Sequence, residues 1–440
     1  MFLKGDIMIK NKFLKNTFIL LVASLITKGL GFIIRLYITR IIGIEGNSLL
    51  SVINPIYSLL TQIATFSFPL TIAKLISERK YQSSKIITNS LYLMIFINIF
   101  IILLVGLNSN FIATHLLKNS CTNYLILALL LTLPFISLSS IVKGYFFGNE
   151  NMLPYAFSNV LEQFFRLILF NIFLLKINNY NSYYGILFII LLNIFSESFS
   201  VLIFMLFIPQ KIKLSNIPWN YEHQINKDIV LLSTPSVLSK IIGNIFYFFE
   251  PIIIINILIN QGLSYDVITA NYARYNIYAL SIVMLPSFIM GVLEKSLVPE
   301  LSKLYQLKNK RLFINRIKKS IIITLIISIV FKVIIDIFGK EILAILYHDT
   351  TSYHYLIFIN QYFFLYFLEI PLSCSLLALY KNKIIVVSTI VANSIKVILM
   401  VILLKMNLFI YALLIAELVN IILAILMNYL ALRKGIKDLF

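Results

Sequence analysis

The sequence predicts an all-α polytopic membrane protein of about twelve transmembrane helices, in two parallel-repeat six-helix lobes around a central cavity. Three observations lead there. Of the 440 residues, 60% are hydrophobic and 12% charged, about half the share of charge found in soluble domains. Apolar runs of about 20 residues, long enough to cross roughly 30 Å of hydrocarbon as helices, recur from end to end. Basic residues collect between alternate runs, and the alternating ten-residue strands of a membrane barrel are absent.

The first predicted span, 16–42, follows Lys4, Lys10, Lys12 and Lys15 and runs past Lys28 and Arg35 without a small-residue cleavage site. It therefore reads as a retained span with a cytoplasmic start rather than a secretory signal. Spans at 48–75, 86–106, 123–145, 153–175 and 183–208 complete the first set. Gln210 to Lys227, with Pro218 and Trp219, is the longest polar stretch in mid-chain and the natural linker, so the lobes are expected at 1–215 and 216–440. The second set runs 228–259, 267–298, 319–338, 353–379, 384–404 and 408–430.

The formal charge of +19 would suggest nucleic acid in a soluble protein. Here the placement of the cations explains it. Arg79, Lys80 and Lys85; Lys143; Lys211, Lys213 and Lys227; Lys303 through Lys319; Lys381 and Lys383; and Arg433, Lys434 and Lys437 all fall in loops on one side. Lys118, Lys176, Lys340 and Lys405 are the few on the other, so a multi-pass protein of the cell membrane with both termini cytoplasmic is expected, and no nucleic-acid partner.

Both halves begin on the same side, the arrangement of parallel repeats. Leu25-Ile-Thr-Lys28-Gly-Leu-Gly31 resembles Val237-Leu-Ser-Lys240-Ile-Ile-Gly243 on the first span of each half. Pro69 and Pro286 correspond on the second spans, Pro134 and Pro371 on the fourth. Prolines at 69, 251, 286 and 371 interrupt helical hydrogen bonding and offer bends.

Catalysis is not expected. Cys121 and Cys374 have no CxxC spacing, His115, His223, His348 and His354 are scattered, and no GxxxxGK[ST] loop is present.

An ionisable side chain near the bilayer centre costs about 2.5 to 3.5 kcal/mol on insertion scales, so it needs a partner, an aqueous cavity or a task. Lys28, Lys240 and Lys396 each lie 13 residues after the last basic residue of the preceding loop, Lys15, Lys227 and Lys383. That is roughly 20 Å inward along a helix. Arg166 falls at a similar depth. These four cations sit on the first and fifth spans of both halves, as a shared cavity for an anion requires, and Arg35 extends the Lys28 face about 20° round the helix.

The competing reading is that each cation pairs with a carboxylate or snorkels to an interface. Glu162 stands one turn before Arg166, Asp336 follows Lys332 by one turn as a structural pair, and Arg40 and Arg274 are placed to snorkel. Glu250, Glu369 and Glu417, with Asn393 or Asn420, are candidates for a proton or sodium site of hard oxygens; Glu197 is a weaker one. Na+ or H+ is then the only coupling ion to consider, and no other cofactor or metal is expected.

Several stretches carry a family resemblance. They are Lys28-Gly-Leu-Gly-Phe-Ile-Ile-Arg35 with Thr39-Arg40-Ile-Ile-Gly43-Ile-Glu45-Gly46; Phe68-Pro69-Leu-Thr-Ile-Ala-Lys74-Leu-Ile-Ser-Glu78-Arg79; Lys143-Gly-Tyr-Phe-Phe-Gly148-Asn-Glu-Asn-Met152 running on to Glu162, Gln163 and Arg166; and Ser296-Leu-Val-Pro299-Glu300-Leu-Ser302. They resemble the family of stage V sporulation protein B and related polysaccharide transporters, within the multidrug, oligosaccharidyl-lipid and polysaccharide exporter superfamily. Asn47 and Ser48 depart from the small, glycine-rich continuation usual after the GxEG turn.

The resemblance implies two six-helix lobes about a cavity and a flippase for a lipid-linked pyrophosphate saccharide of the lipid II type, used in spore cortex peptidoglycan. Lys28, Arg35 and Arg166 match the family's basic pattern. Membrane lipids and cell-wall synthesis proteins are the other partners it implies. Two alternatives stand beside it: an ion-coupled multidrug exporter, in which Glu250, Glu369 and Glu417 would dominate, and a non-transporting scaffold for cell-wall assembly, in which the basic loop from Lys303 to Lys319 would bind partners.

Overall fold

The computed structural model describes residues 2–177, 182–208 and 221–439, and every regular element among them is helical. Lys211, Lys213 and the linker residues Pro218 and Trp219 lie outside the described residues, as do the side chains of Lys4, Lys10, Lys12, Lys15 and Lys176. Among the described residues nine helices are long and apolar enough to cross a membrane, or ten when one bent pair is counted as a single span. About twelve were expected. The first candidate, Val22–Ser77, is 56 residues long and contains two expected spans, while the expected fifth span, carrying Glu162, Gln163 and Arg166, is not among the nine. The chain is a multi-pass membrane protein that divides into two compact units, Met1–Asn244 and Ile245–Phe440.

In the first unit, α1 (Phe2–Thr65) is broken at Gly43, whose φ of 60° and ψ of −166° suit a residue without a Cβ. The Asn47 side chain donates to the carbonyls of Thr39 (2.8 Å) and Gly43 (2.6 Å), satisfying acceptors left at the break. The departure from the family pattern at Asn47 is thus a cap for this kink. A second break follows at Phe66 and Ser67, with φ of 45° and 52°, just before Pro69 in the first turn of α2 (Phe68–Ser77). Pro69 has no N–H to donate to Thr65, so that helical hydrogen bond is missing at the break.

The unit continues with α3 (Ser83–Phe111) and a π-turn (Ile112–Leu116), then α4 (Thr122–Gly148), α5 (Leu153–Ile177) and α6 (Ser182–Phe207). Gly144 and Gly148, one turn apart on α4, lie against α2. A Cβ on Gly144 would meet Ile72 Cβ at 2.8 Å and one on Gly148 would meet Ile76 Cβ at 2.7 Å, so glycine permits the close crossing. Around it Phe68, Ile72, Ile141, Phe146 and Phe204 are buried together with Ile225 and Ile229 at the start of α7 (His223–Asn260).

Polar contacts fasten that start of α7 to the α2–α3 corner. Asp228 accepts from Lys80 Nζ at 2.6 Å and Tyr81 Oη at 2.8 Å, Lys85 pairs with Glu222 at 2.7 Å, and Thr71 and Ser233 hydroxyls are 2.8 Å apart. These contacts carry the first unit beyond the linker to Asn244.

The second unit holds the rest of α7, then α8 (Tyr265–Ala273), a π-turn (Arg274–Ala279), α9 (Leu280–Val283) and α10 (Ser287–Gln306). A 57° bend at Pro286 separates Tyr265–Val283 from Ser287–Gln306, the counterpart of the break before Pro69. Next come α11 (Lys310–Tyr347), α12 (Tyr353–Phe363), a 3-10 turn (Tyr366–Leu368), α13 (Glu369–Ala378), α14 (Asn382–Lys405) and α15 (Tyr411–Leu439). Pro371 sits in the first turn of α13, whereas Pro134 and Pro251 lie within continuous helices. Leu297, Leu301, Phe313, Leu372, Leu376 and Leu432 form one buried cluster.

Lys332 and Asp336 pair at 2.5 Å, and Asn360 donates to Asp336 at 2.8 Å, a structural pair as expected. Arg274 does not simply snorkel: its Nε lies 3.7 Å from an Asp349 carboxylate oxygen, because the π-turn starts at Arg274 beside the loop that carries Asp349.

Candidate functional site

On α1, Gly31 faces α5, where a Cβ would sit 3.8 Å from Gln163 Oε1. Lys28 and Arg35 lie one turn to either side of Gly31, within about 60° of its direction, and Arg166 lies one turn beyond Gln163. By residue count Lys28 and Arg35 share the side of α1 that carries Gly31, and Arg166 shares the side of α5 that carries Gln163. Lys28 is half-buried and Arg35 exposed. Lys240 is exposed on α7 within the first unit.

Arg166 is not a bare cation. Its Nη2 is 2.8 Å from Glu162 Oε1 and 3.6 Å from Glu197 Oε1, and its Nε donates to Ser196 Oγ at 3.0 Å. Glu162 shares its helix face at i, i+4, and Glu197 comes from α6. Two carboxylates on one guanidinium leave the cluster formally anionic. Sequence reasoning raised Glu162 as a partner but gave Glu197 no link to Arg166, because which face of α6 meets α5 is decided by packing.

In the second unit, Lys396 Nζ on α14 lies 2.8 Å from Glu250 Oε2 on α7 and 2.6 Å from Glu417 Oε2 on α15. All three side chains are 13% exposed or less. Tyr272 Oη donates to Glu250 Oε1 at 2.9 Å, Asn276 donates to Tyr272 Oη at 3.3 Å and Tyr247 Oη at 3.2 Å, and Asn420 donates to Glu417 Oε1 at 3.4 Å. The sequence placed Lys396 among the anion-binding cations and Glu250 and Glu417 in an ion site. The structure joins them in one triad, in which the Lys396 ammonium is outnumbered by its own carboxylates.

Asn393 donates back to its own helix at Thr389 O (2.8 Å) and does not join the triad. Glu369, half-buried at the start of α13, lies within electrostatic range of Glu417 but makes no ion pair among the described residues. Among those residues no three histidine, cysteine, aspartate or glutamate side chains converge as a metal site. Tyr272 and Asn276 went unnoticed in the sequence; the signal was Asn271-Tyr-Ala-Arg-Tyr-Asn276, a polar and aromatic run inside an otherwise apolar span.

A groove of about 1080 Å³ opens between α3, α4 and α6, lined by Gly106, Leu127, Leu131, Tyr184 and Leu187 among others, with Asn110 and Asn123 at its polar end. Among the described residues no charged side chain lines it.

The family model described as polysaccharide biosynthesis protein matches residues 13–305. Stage V sporulation protein B of Bacillus subtilis (strain 168) is 29% identical over 383 residues, covering 84% of this chain and 74% of that protein. Lipid II flippase MurJ of the same organism is 27% identical over 171 residues, covering 36% of this chain and 31% of the flippase. Among solved structures, the inward-facing conformation of a multidrug resistance MATE family transporter of the MOP superfamily has a TM-score of 0.77 at 16% identity, covering 94% of this chain and 95% of that one. The fold is that of this superfamily.

Proposed function

Because the chain belongs to the polysaccharide biosynthesis protein family, we propose that it moves a lipid-linked, pyrophosphate-bearing saccharide of the peptidoglycan-precursor type across the cell membrane by alternating access, in support of spore cortex assembly. The observation that carries this reading is the seam at Gly31 and Gln163, where Lys28 and Arg35 flank the contact and Arg166 stands one turn away. An anionic head group losing water needs fixed positive groups and donors in exchange. Lys28 and Arg35 supply them, with Lys240 as a further exposed cation. Arg166, clasped by Glu162 and Glu197, orders the floor of the seam.

The uncharged groove between α3, α4 and α6 offers the lipid tail an apolar berth in the same unit. The charge bias of the loops supports an orientation with both termini on the cytoplasmic side. A second reading, an ion-coupled multidrug exporter, draws support from the carboxylate-rich triad of the second unit.

The experiment is reconstitution into vesicles with a labelled lipid-linked pyrophosphate saccharide. Lys28→Ala and Arg35→Ala are expected to lower its transfer at least tenfold; undiminished transfer by correctly inserted variants rejects the head-group site. Neutralising Glu250 and Glu417 while drug export is measured separates the second reading. Deletion of the gene is expected to block the spore cortex and accumulate the lipid-linked precursor.

A further inference from the structure

We infer that Lys396 is the resident cation of a site that would otherwise take up a mobile monovalent cation, so that the native chain binds no sodium there. The inference concerns the ion that drives transport and holds whatever the cargo is. Glu250 and Glu417 reach the same point from α7 and α15, and the Lys396 ammonium from α14 stands between them at 2.8 and 2.6 Å. Two carboxylates turned toward each other in a low-dielectric interior require a positive charge or a shared proton, and here the ammonium supplies the charge.

The remaining donors are hard oxygens of the kind that hold an alkali ion. Asn420 Oδ1 is buried with no hydrogen-bond partner, while its amide nitrogen donates to Glu417. Tyr272, backed by Asn276, fixes the second oxygen of Glu250 and so aims the first at the ammonium. A cation tethered in place competes at a high effective concentration, and a free ion would have to displace it and strand it unpaired.

The first unit repeats the device. Arg166, on its fifth span, is clasped by Glu197 of the sixth, as Lys396 on the fifth span of the second half is clasped by Glu417 of the sixth.

The test is equilibrium binding of radiolabelled sodium to the full-length chain in lipid nanodiscs, with the unfolding temperature compared in sodium and choline chloride at equal ionic strength. The wild type and Lys396→Arg are expected to show no saturable sodium binding and no sodium-dependent shift. Lys396→Ala is expected to gain one saturable site per chain and a higher unfolding temperature in sodium, and Lys396→Ala combined with Glu417→Gln to lose both. Saturable binding by the wild type that Glu250→Gln or Glu417→Gln abolishes overturns the inference, and so does a folded Lys396→Ala that binds none. Should Lys396→Ala fold in neither salt, the wild-type measurement decides alone.

Discussion

The Lys396 ammonium lies 2.6 Å from a Glu417 carboxylate oxygen, an ion pair between α14 and α15 that Glu250 of α7 completes from the other side. Breaking such a buried pair from one side is more damaging than replacing it entirely. In salt free of sodium, Lys396→Ala should cost about 3 to 5 kcal/mol of stability. The variant that also carries Glu250→Gln and Glu417→Gln should recover most of it. Unfolding midpoints in detergent compare the two, and equal loss in both would mean the triad is not coupled.

Gly148 predicts a packing effect with no charge involved. Gly148→Val places methyl groups where even a Cβ lies 2.7 Å from Ile76, so α2 and α4 must separate. A loss of about 1 to 3 kcal/mol is expected. An unchanged unfolding midpoint would show that α2 does not cross α4 closely at this glycine.

The α1 kink predicts a polar effect. Asn47→Leu removes the donor shared by the Thr39 and Gly43 carbonyls and leaves them buried beside an apolar side chain. About 1 to 3 kcal/mol should be lost, whereas Asn47→Gln should lose less if its longer amide reaches either carbonyl. Thermal unfolding of the two variants side by side checks the order.

Asp228 makes the stability of the α2–α3 corner depend on pH. Hydrogen bonds from Lys80 and Tyr81 hold its carboxyl below the usual carboxylate range, and the same contact holds Lys80 above the usual lysine range. The Asp228 contribution is therefore complete above about pH 4 and fades as pH falls through the lowered value in the folded state. The Lys80 contribution is complete below about pH 10.4 and fades as pH rises through its raised value. Asp228→Asn should lower the unfolding midpoint at neutral pH and converge with the wild type in acid; a difference that persists unchanged at pH 2 would refute the linkage.

The groove predicts a separation between tail and head group. Leu131→Trp fills space between α3, α4 and α6 without altering charge. Transfer of the lipid-linked saccharide should fall several-fold while binding of a tail-free pyrophosphate saccharide is unchanged. Equal loss of both would point to misfolding rather than to a berth for the tail.

Much of this was legible in the letters for a simple physical reason: lipid demands long apolar helices, and hydropathy is a local property. Pro69 and Pro286 marked the breaks in the second span of each half because a missing N–H acts within one turn. The pairing of Lys332 with Asp336 was readable because both partners share a helix face. The Arg166–Glu162 contact was readable on the same ground, whereas Glu197 was not, since it approaches from another helix.

From the sequence alone came the all-α membrane class, the approximate positions of most helices, the breaks before Pro69 and at Pro286, and the family pattern around Lys28, Arg35 and Arg166. Only the tertiary structure decided what those charges meet. It put Lys396 at the centre of a carboxylate clasp, and gave Gly144 and Gly148 their role against Ile72 and Ile76. The reason is that depth along a helix follows from counting residues, whereas the direction a side chain faces across to another helix depends on which ridges and small residues pack, and residues 146 and 21 positions apart in sequence, Glu250 to Lys396 and Lys396 to Glu417, have no local rule to join them.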